Sequence, residues 1–185
     1  MNFQSNLTVE ERELRSRLMD KLITQTNQPV PFESEYQCLL DKNVIVLENN
    51  QVISVYPISA IPTNKKVYVK GRQQPIFAMC AIDAIGIHYT LDCPISIESE
   101  DELTGVPLHL EVNHHQVINR TNHDIYVLYK EVCTLEKCHE NCCPYIHFFV
   151  SQDNIVQYLK NNKECQTYQI LNLDEANQIA YQLFH

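Results

Sequence analysis

Pro75-Ile76-Phe77-Ala78-Met79-Cys80-Ala81-Ile82-Asp83-Ala84-Ile85-Gly86-Ile87 is a mostly apolar run that carries one thiol and one carboxylate. Its length and composition predict a helix. Residues three apart share a helical face, so Cys80 and Asp83 can converge there. A carboxylate among Ile76, Phe77, Ala78, Ile82 and Ile85 is costly unless it is paired or hydrogen-bonded. Desolvation raises the pKa of such an acid toward the range of a useful proton carrier. The plainer reading makes Asp83 a cap for a nearby loop and Cys80 a small buried hydrophobe.

Outward from this run, the sequence alternates short strand patterns with a few helices. Upstream, Lys66 to Lys70 reads as a strand preceded by a linker from Ala60. Downstream, strands are expected at Pro94 to Glu98, Leu108 to Val112, Ile125 to Tyr129 and Tyr145 to Val150. Ser151 caps a helix to about Lys160, and Asp174 opens a last helix to the C-terminus. At the other end, Thr8 with Glu11 forms a capping box. It opens an amphipathic helix to about Thr26, with Leu14, Leu18, Met19, Leu22 and Ile23 on one stripe. Pro29-Val30-Pro31 ends that helix and starts a turn, and Phe32 to Leu40 predicts a second, shorter helix. Val44 to Leu47 and Gln51 to Tyr56 predict a hairpin around Glu48-Asn49-Asn50.

Strands followed by helices, without a strand–helix repeat, point to an α+β fold. The expected core is a mixed or antiparallel sheet flanked by helices. Residues 1–60 read as a short winged-helix-like segment and 61–185 as the main domain. Winged helices often bind DNA, but the stretch Phe32 to Leu40 carries Glu33 and Glu35 and no base. A recognition helix needs Arg or Lys aimed at phosphates and bases, so the segment reads as a structural appendage.

Composition narrows the function. The 185 residues are enough for a sizeable core, and 44% apolar with 20% charged residues is ordinary for a globular protein. The formal charge of −9 disfavours both nucleic acid and acidic membrane surfaces. No apolar stretch approaches a membrane span. The start, Met1-Asn2-Phe3-Gln4-Ser5-Asn6, lacks the features of a secretory signal, so a cytoplasmic location is expected. Three glycines far apart make no phosphate-cradling loop. Eight cysteines in a reducing compartment favour metal or thiol chemistry over a disulfide framework.

Six of those cysteines remain outside the apolar run and the N-terminal segment, and four of them crowd together. Cys133-Thr-Leu-Glu-Lys-Cys138-His139-Glu-Asn-Cys142-Cys143-Pro-Tyr-Ile-His147 holds four thiols and two imidazoles. Cys133, Cys138, His139 and Cys142 could make a structural zinc site, although the usual Cys-x2-Cys knuckles are missing. A disulfide between Cys142 and Cys143 would close a strained ring.

Three motifs together resemble the organomercurial (alkylmercury) lyase family. Phe77-Ala-Met-Cys80-Ala-Ile-Asp83 resembles the stretch that supplies a catalytic cysteine and aspartate, with Met79 where the family has Trp. Glu102-Leu-Thr104-Gly105-Val-Pro107 resembles the family's Thr-Gly-x-Pro turn. Glu100 and Asp101 stand where many members carry a further cysteine. Cys143-Pro-Tyr-Ile-His147-Phe148-Phe149-Val-Ser151 resembles the segment with the second catalytic cysteine. Anchoring on His147-Phe148-Phe149 selects Cys143, with Cys142 in reserve because a one-residue slip exchanges them.

The resemblance implies cleavage of a carbon–mercury bond by protonolysis. Cys80 and Cys143 would bind the metal as thiolates and Asp83 would move the proton, releasing hydrocarbon and protein-held Hg(II). No cofactor is implied. The implied substrate is a small organomercurial or another soft organometal, and the implied acceptor of Hg(II) is a thiol or a mercuric reductase. Soft Hg(II) selects sulfur over oxygen and nitrogen ligands. Shared metal and proton chemistry would require the two sulfurs and the carboxylate to converge within about 4–6 Å. Two other readings stand beside the lyase: a non-catalytic thiol binder of soft metals, and an interaction domain stapled by zinc.

Overall fold

The computed structural model describes residues 2–25, 28–131, 138–162 and 167–185. Helix α1 (Val9–Thr24) opens on the expected capping box. The Glu11 amide N–H donates to the Thr8 hydroxyl, and the Thr8 N–H donates to the Glu11 carboxylate at 2.7 Å. Its stripe of Leu14, Leu18, Met19, Leu22 and Ile23 is buried. The chain then enters β1 (Val30–Pro31), where Val30 pairs with Val52. The Pro29-Val30-Pro31 stretch is therefore a short edge strand as well as a helix stop, a place where proline is tolerated. The second predicted helix divides into a 3-10 turn at Ser34–Tyr36 and α2 (Gln37–Asp41).

The hairpin of β2 (Ile45–Glu48) and β3 (Gln51–Val55) matches the expectation. Asn49 and Asn50 both take positive φ, at 49° and 61°, as a two-residue turn of matching twist requires. Past it come β4 (Ile58–Ser59), β5 (Lys66–Val69) and β6 (Ile76–Ala78). After α3 (Ala81–Leu91) follow β7 (Ile95–Glu100), β8 (Pro107–Asn113) and β9 (Gln116–Asn119). These nine strands form one antiparallel sheet in the order β1-β3-β4-β6-β5-β7-β8-β9, with β2 also paired to β3. Residue 60 thus falls within the run of this sheet, between β4 and β5. A second sheet joins β10 (Tyr126–Tyr129), β11 (His147–Phe149) and β12 (Gln169–Leu171) in the order β11-β10-β12. The α+β architecture expected from the sequence is the one observed.

Two short helices, α4 (Cys138–Asn141) and α5 (Gln152–Asn161), flank β11. Ser151 caps α5, its hydroxyl accepting from the Asn154 N–H. The last helix, α6 (Leu173–Phe184), opens on an Asn172–Glu175 capping box, two residues before the expected Asp174.

The decisive apolar run is two elements, not one helix. Ile76–Ala78 is a strand because tertiary pairing claims it: Ile58 faces Ala78, and Lys66 and Val67 face Phe77 and Ile76. Only from Ala81 does the backbone turn helical, with Cys80 extended at φ −142° as its N-cap. Helix α3 is apolar almost all round because α6 covers the face that the sheet leaves open. Contact is close enough that a Cβ on Gly86 would lie 2.2 Å from the Phe184 ring. Ile82, Ile85 and Phe184 are fully shielded there, and each such side chain stabilises the fold by roughly 1.5–3 kcal/mol.

Candidate active site

Cys80 sits where β6 ends and α3 begins, so its position is fixed by a sheet on one side and a helix N-terminus on the other. The Asp83 amide N–H donates to Cys80 Sγ at 3.4 Å, a capping bond in which sulfur takes the place of the usual oxygen. The helix terminus favours negative charge on this sulfur. Cys80 and Asp83 thus meet as N-cap and third helical residue rather than as neighbours within a helix.

The third group arrives from far along the chain. Cys143 starts a 3-10 turn, Cys143–Tyr145, with Pro144 at its second position. The Ala81 N–H donates to the Ile146 carbonyl at 3.1 Å, which ties the start of α3 to this turn. As a result Cys143 Sγ lies 3.8 Å from Asp83 Oδ2. One ligand atom from each of Cys80, Asp83 and Cys143 falls within 4.8 Å of the others. That meets the convergence expected of the three. Cys142 points elsewhere, its thiol 3.9 Å from the Glu131 carbonyl oxygen.

Burial governs the electrostatics of the trio, since Cys80, Asp83 and Cys143 are 2%, 3% and 4% exposed. Desolvation pushes the Asp83 carboxyl up to about 7, against the hydrogen bonds of both thiols and the more distant charge of Lys65. It also pushes the Cys80 thiol up to about 11, partly offset by hydrogen bonding with Cys143. Cys143 is raised as well, first by its contacts with Cys138 and Cys80 and then by burial. At rest the cluster is therefore a set of protonated thiols beside an acid poised to exchange a proton near neutrality.

Three supports went unread in the sequence. Cys138, assigned there to a zinc set, has its sulfur 4.0 Å from Cys143 Sγ. Tyr56 brings its hydroxyl to this group, and burial first, then the Cys143 and Cys138 charges, hold the phenol proton firmly on. Beside it lies a partly buried polar triad. His147 Nδ1 stands 3.0 Å from Glu102 Oε2, Lys65 Nζ 3.7 Å from the same oxygen, and His147 Nε2 2.8 Å from the Pro144 carbonyl. Burial opposes ionisation of Glu102, but the His147 hydrogen bond and the His147 and Lys65 charges bring its carboxyl down to about 2. The signal for Lys65 was faint, one lysine in a linker, and only the fold shows its burial.

Asp101 explains how the second and third motifs support each other. Its Oδ1 accepts from the Leu103 and Thr104 amides and the Thr104 hydroxyl, closing the turn that Gly105 completes at φ 69°. Its Oδ2 accepts from the Val150 amide and the Asn154 side chain at 2.8 and 2.9 Å. One carboxylate thus fastens the Thr-Gly-x-Pro turn to the strand that follows Cys143.

For the zinc expectation, Cys133 lies outside the described residues. Of the other candidates, Cys138 faces Cys143, Cys142 faces Glu131, and His139 stands 3.4 Å from Glu140. Among the described residues, the group of His, Cys, Asp or Glu placed to share an ion is Cys80, Asp83 and Cys143.

The family model of alkylmercury lyase, MerB, matches residues 58–185. The chain belongs to the alkylmercury lyase family. The fold agrees: the crystal structure of the mercury-bound form of MerB2 superposes with a TM-score of 0.73 at 19% identity. That alignment covers 97% of this chain and 92% of the other. Among curated proteins no relative matches this chain. The family match includes every residue of the thiol–carboxylate cluster, and Tyr56 lies just ahead of it.

Proposed function

We propose that this alkylmercury lyase cleaves the carbon–mercury bond of small organomercurials at Cys80, Asp83 and Cys143. The observation that carries the assignment is the convergence of two thiols and one raised carboxyl within 4.8 Å in a site shielded from water. Hg is soft, so the two sulfurs bind it and the carboxylate is left free for the proton.

The steps follow from the positions of the groups. Cys143 or Cys80 exchanges its proton for R–Hg⁺, forming the first sulfur–mercury bond. Asp83 takes the proton of the second thiol, which Cys143 Sγ can deliver over 3.8 Å. The new thiolate adds to mercury, and donation from two sulfurs weakens the carbon–mercury bond. Asp83 then protonates the departing carbon, and R–H leaves with Hg(II) held by both sulfurs. An acid near neutrality can take and return a proton without a large barrier in either direction. Ile76, Ala78 and Ile82, buried on β6 and α3 beside the reacting groups, would suit an alkyl or aryl group.

Under this reading residues 61–185 supply the reacting groups and residues 1–60 brace them. Hg(II) passes to a low-molecular-weight thiol or a mercuric reductase, and a reducing cytoplasm supplies such acceptors. Among the described residues no helix is long and apolar enough to cross a membrane. The test is incubation of the purified protein with methylmercury and excess thiol, measuring methane and mercury together. Methane equal to the methylmercury consumed is expected. Mercury bound without methane would replace the lyase with a metal binder.

A further inference from the structure

The protonolysis uses two thiols, yet a third is built into the same buried cluster. Cys138 lies on α4, is 3% exposed, and holds its sulfur 4.0 Å from Cys143 Sγ. Three thiolates sharing one ion in a trigonal plane, at the roughly 2.3 Å metal–sulfur bond of zinc, sit about 4 Å apart. The Cys138–Cys143 separation fits one edge of that triangle. Among the described residues the ligand atoms already within 4.8 Å of one another are those of Cys80, Asp83 and Cys143, so Cys138 must draw inward on α4 to complete it.

A second observation points to the same place. The Tyr56 hydroxyl is buried without an oxygen or nitrogen partner and is turned to the sulfurs of Cys143 and Cys138. The sulfur of a neutral thiol is a weak acceptor. Three thiolates on Hg(II) carry a net negative charge, and that charge would give this O–H a strong one.

We propose that Cys138 is a third mercury-binding thiolate, through which product Hg(II) moves from the Cys80–Cys143 pair to the Cys138–Cys143 pair. The proposal rests on the lyase reading for the origin of the Hg(II), but not for the site itself. The step is an exchange without redox change. Cys138 gives up its S–H proton and forms a sulfur–mercury bond. A three-sulfur species follows, the Cys80–mercury bond breaks, and Cys80 recovers the proton. The direction is outward, since Cys80 is walled in by β6 and α3, whereas α4 also carries the exposed Glu140 and Asn141. An incoming thiol then meets mercury at α4 instead of at the helix terminus.

The test uses one equivalent of Hg(II) alone, added to the full chain and to Cys138→Ser and Cys138→Ala. Mercury X-ray absorption counts sulfur neighbours, and transfer to an added dithiol is timed. The distant Cys93→Ser variant controls for lowered thiol content. Expected are three sulfurs in the parent and in Cys93→Ser, and two in both Cys138 variants. Transfer from the Cys138 variants should slow by roughly tenfold, about 1.4 kcal/mol of barrier. Circular dichroism and urea unfolding of both Cys138 variants should match the parent, which shows that the variants fold. Two sulfurs in the parent, or transfer from the Cys138 variants at the parent rate, would overturn the proposal. Three sulfurs in the parent with no methane from methylmercury would sustain the thiol site and remove the lyase reading.

Discussion

Cys80 and Cys143 meet at one point but are held in opposite ways. Cys80 is locked between β6 and α3, its sulfur capping an eleven-residue helix that is shielded on every side. Cys143 sits on a three-residue 3-10 turn next to a four-residue helix, with Cys138 and Cys142 beside it. The first shore is rigid and carries the proton carrier. The second is short-ranged, rich in sulfur and close to the surface. That contrast matches two demands on a metal-cleaving site, a fixed geometry for proton delivery and an adaptable thiol shore for taking on and giving up a soft ion.

The contrast can be broken first at the rigid shore. Asp83→Asn keeps the shape and the N-cap amide but removes the proton carrier. Hydrocarbon release should fall by roughly 10²–10⁴-fold, the usual contribution of general acid–base catalysis. One equivalent of organomercurial should still bind, as mass spectrometry of the loaded protein would report. Rapid release by the variant would take the proton role away from Asp83.

The same substitution sharpens the comparison through stability. The folded Asp83 carboxyl sits at about 7 against an ordinary 3.8, so between those values the folded state binds more protons than the unfolded one. Its contribution is fully present below pH about 4 and is lost as pH rises through about 7. The shift corresponds to about 4 kcal/mol at most. Urea unfolding at pH 5 and pH 8 should show the parent losing stability relative to Asp83→Asn over that interval. Parallel curves would mean that the carboxyl is not desolvated.

Smaller effects separate packing from chemistry. Gly86→Ala drives a methyl into Phe184, and overpacking of this kind costs about 1–3 kcal/mol. Denaturant titration should find that loss, with the chemical step slowed because α3 carries both Cys80 and Asp83. Thr8→Ala removes the α1 cap and should cost about 1 kcal/mol. Single-turnover cleavage by that variant should be unchanged, since Thr8 caps the start of α1 while Arg15, whose guanidinium donates to the Tyr56 carbonyl, lies in mid-helix.

What was legible in the sequence follows how local each feature is. The Thr8–Glu11 box, the Asn49-Asn50 turn and the Ser151 cap are set by residues within a few positions of one another, and all three form. The Cys80–Asp83 spacing and the His147-Phe148-Phe149 anchor also survive, because each motif is contiguous. The strand in Ile76–Ala78 was hidden, since an apolar run of three reads equally as helix until β4 and β5 claim its hydrogen bonds. Strand β9 was hidden because His114 and His115, not Asn or Gly, take the positive φ of its turn. Cys138, Tyr56 and Lys65 reach the site only through tertiary packing, so no spacing announced them.

The central claim is that one mercury is shared by Cys80 and Cys143 while Asp83 supplies the proton. Single-turnover methane release from methylmercury by Cys80→Ser and Cys143→Ser tests it most directly. Each variant should fall to the rate of the uncatalysed reaction with free thiol, because one thiolate cannot weaken the bond enough for protonation. Methane at the parent rate from either variant would contradict the account.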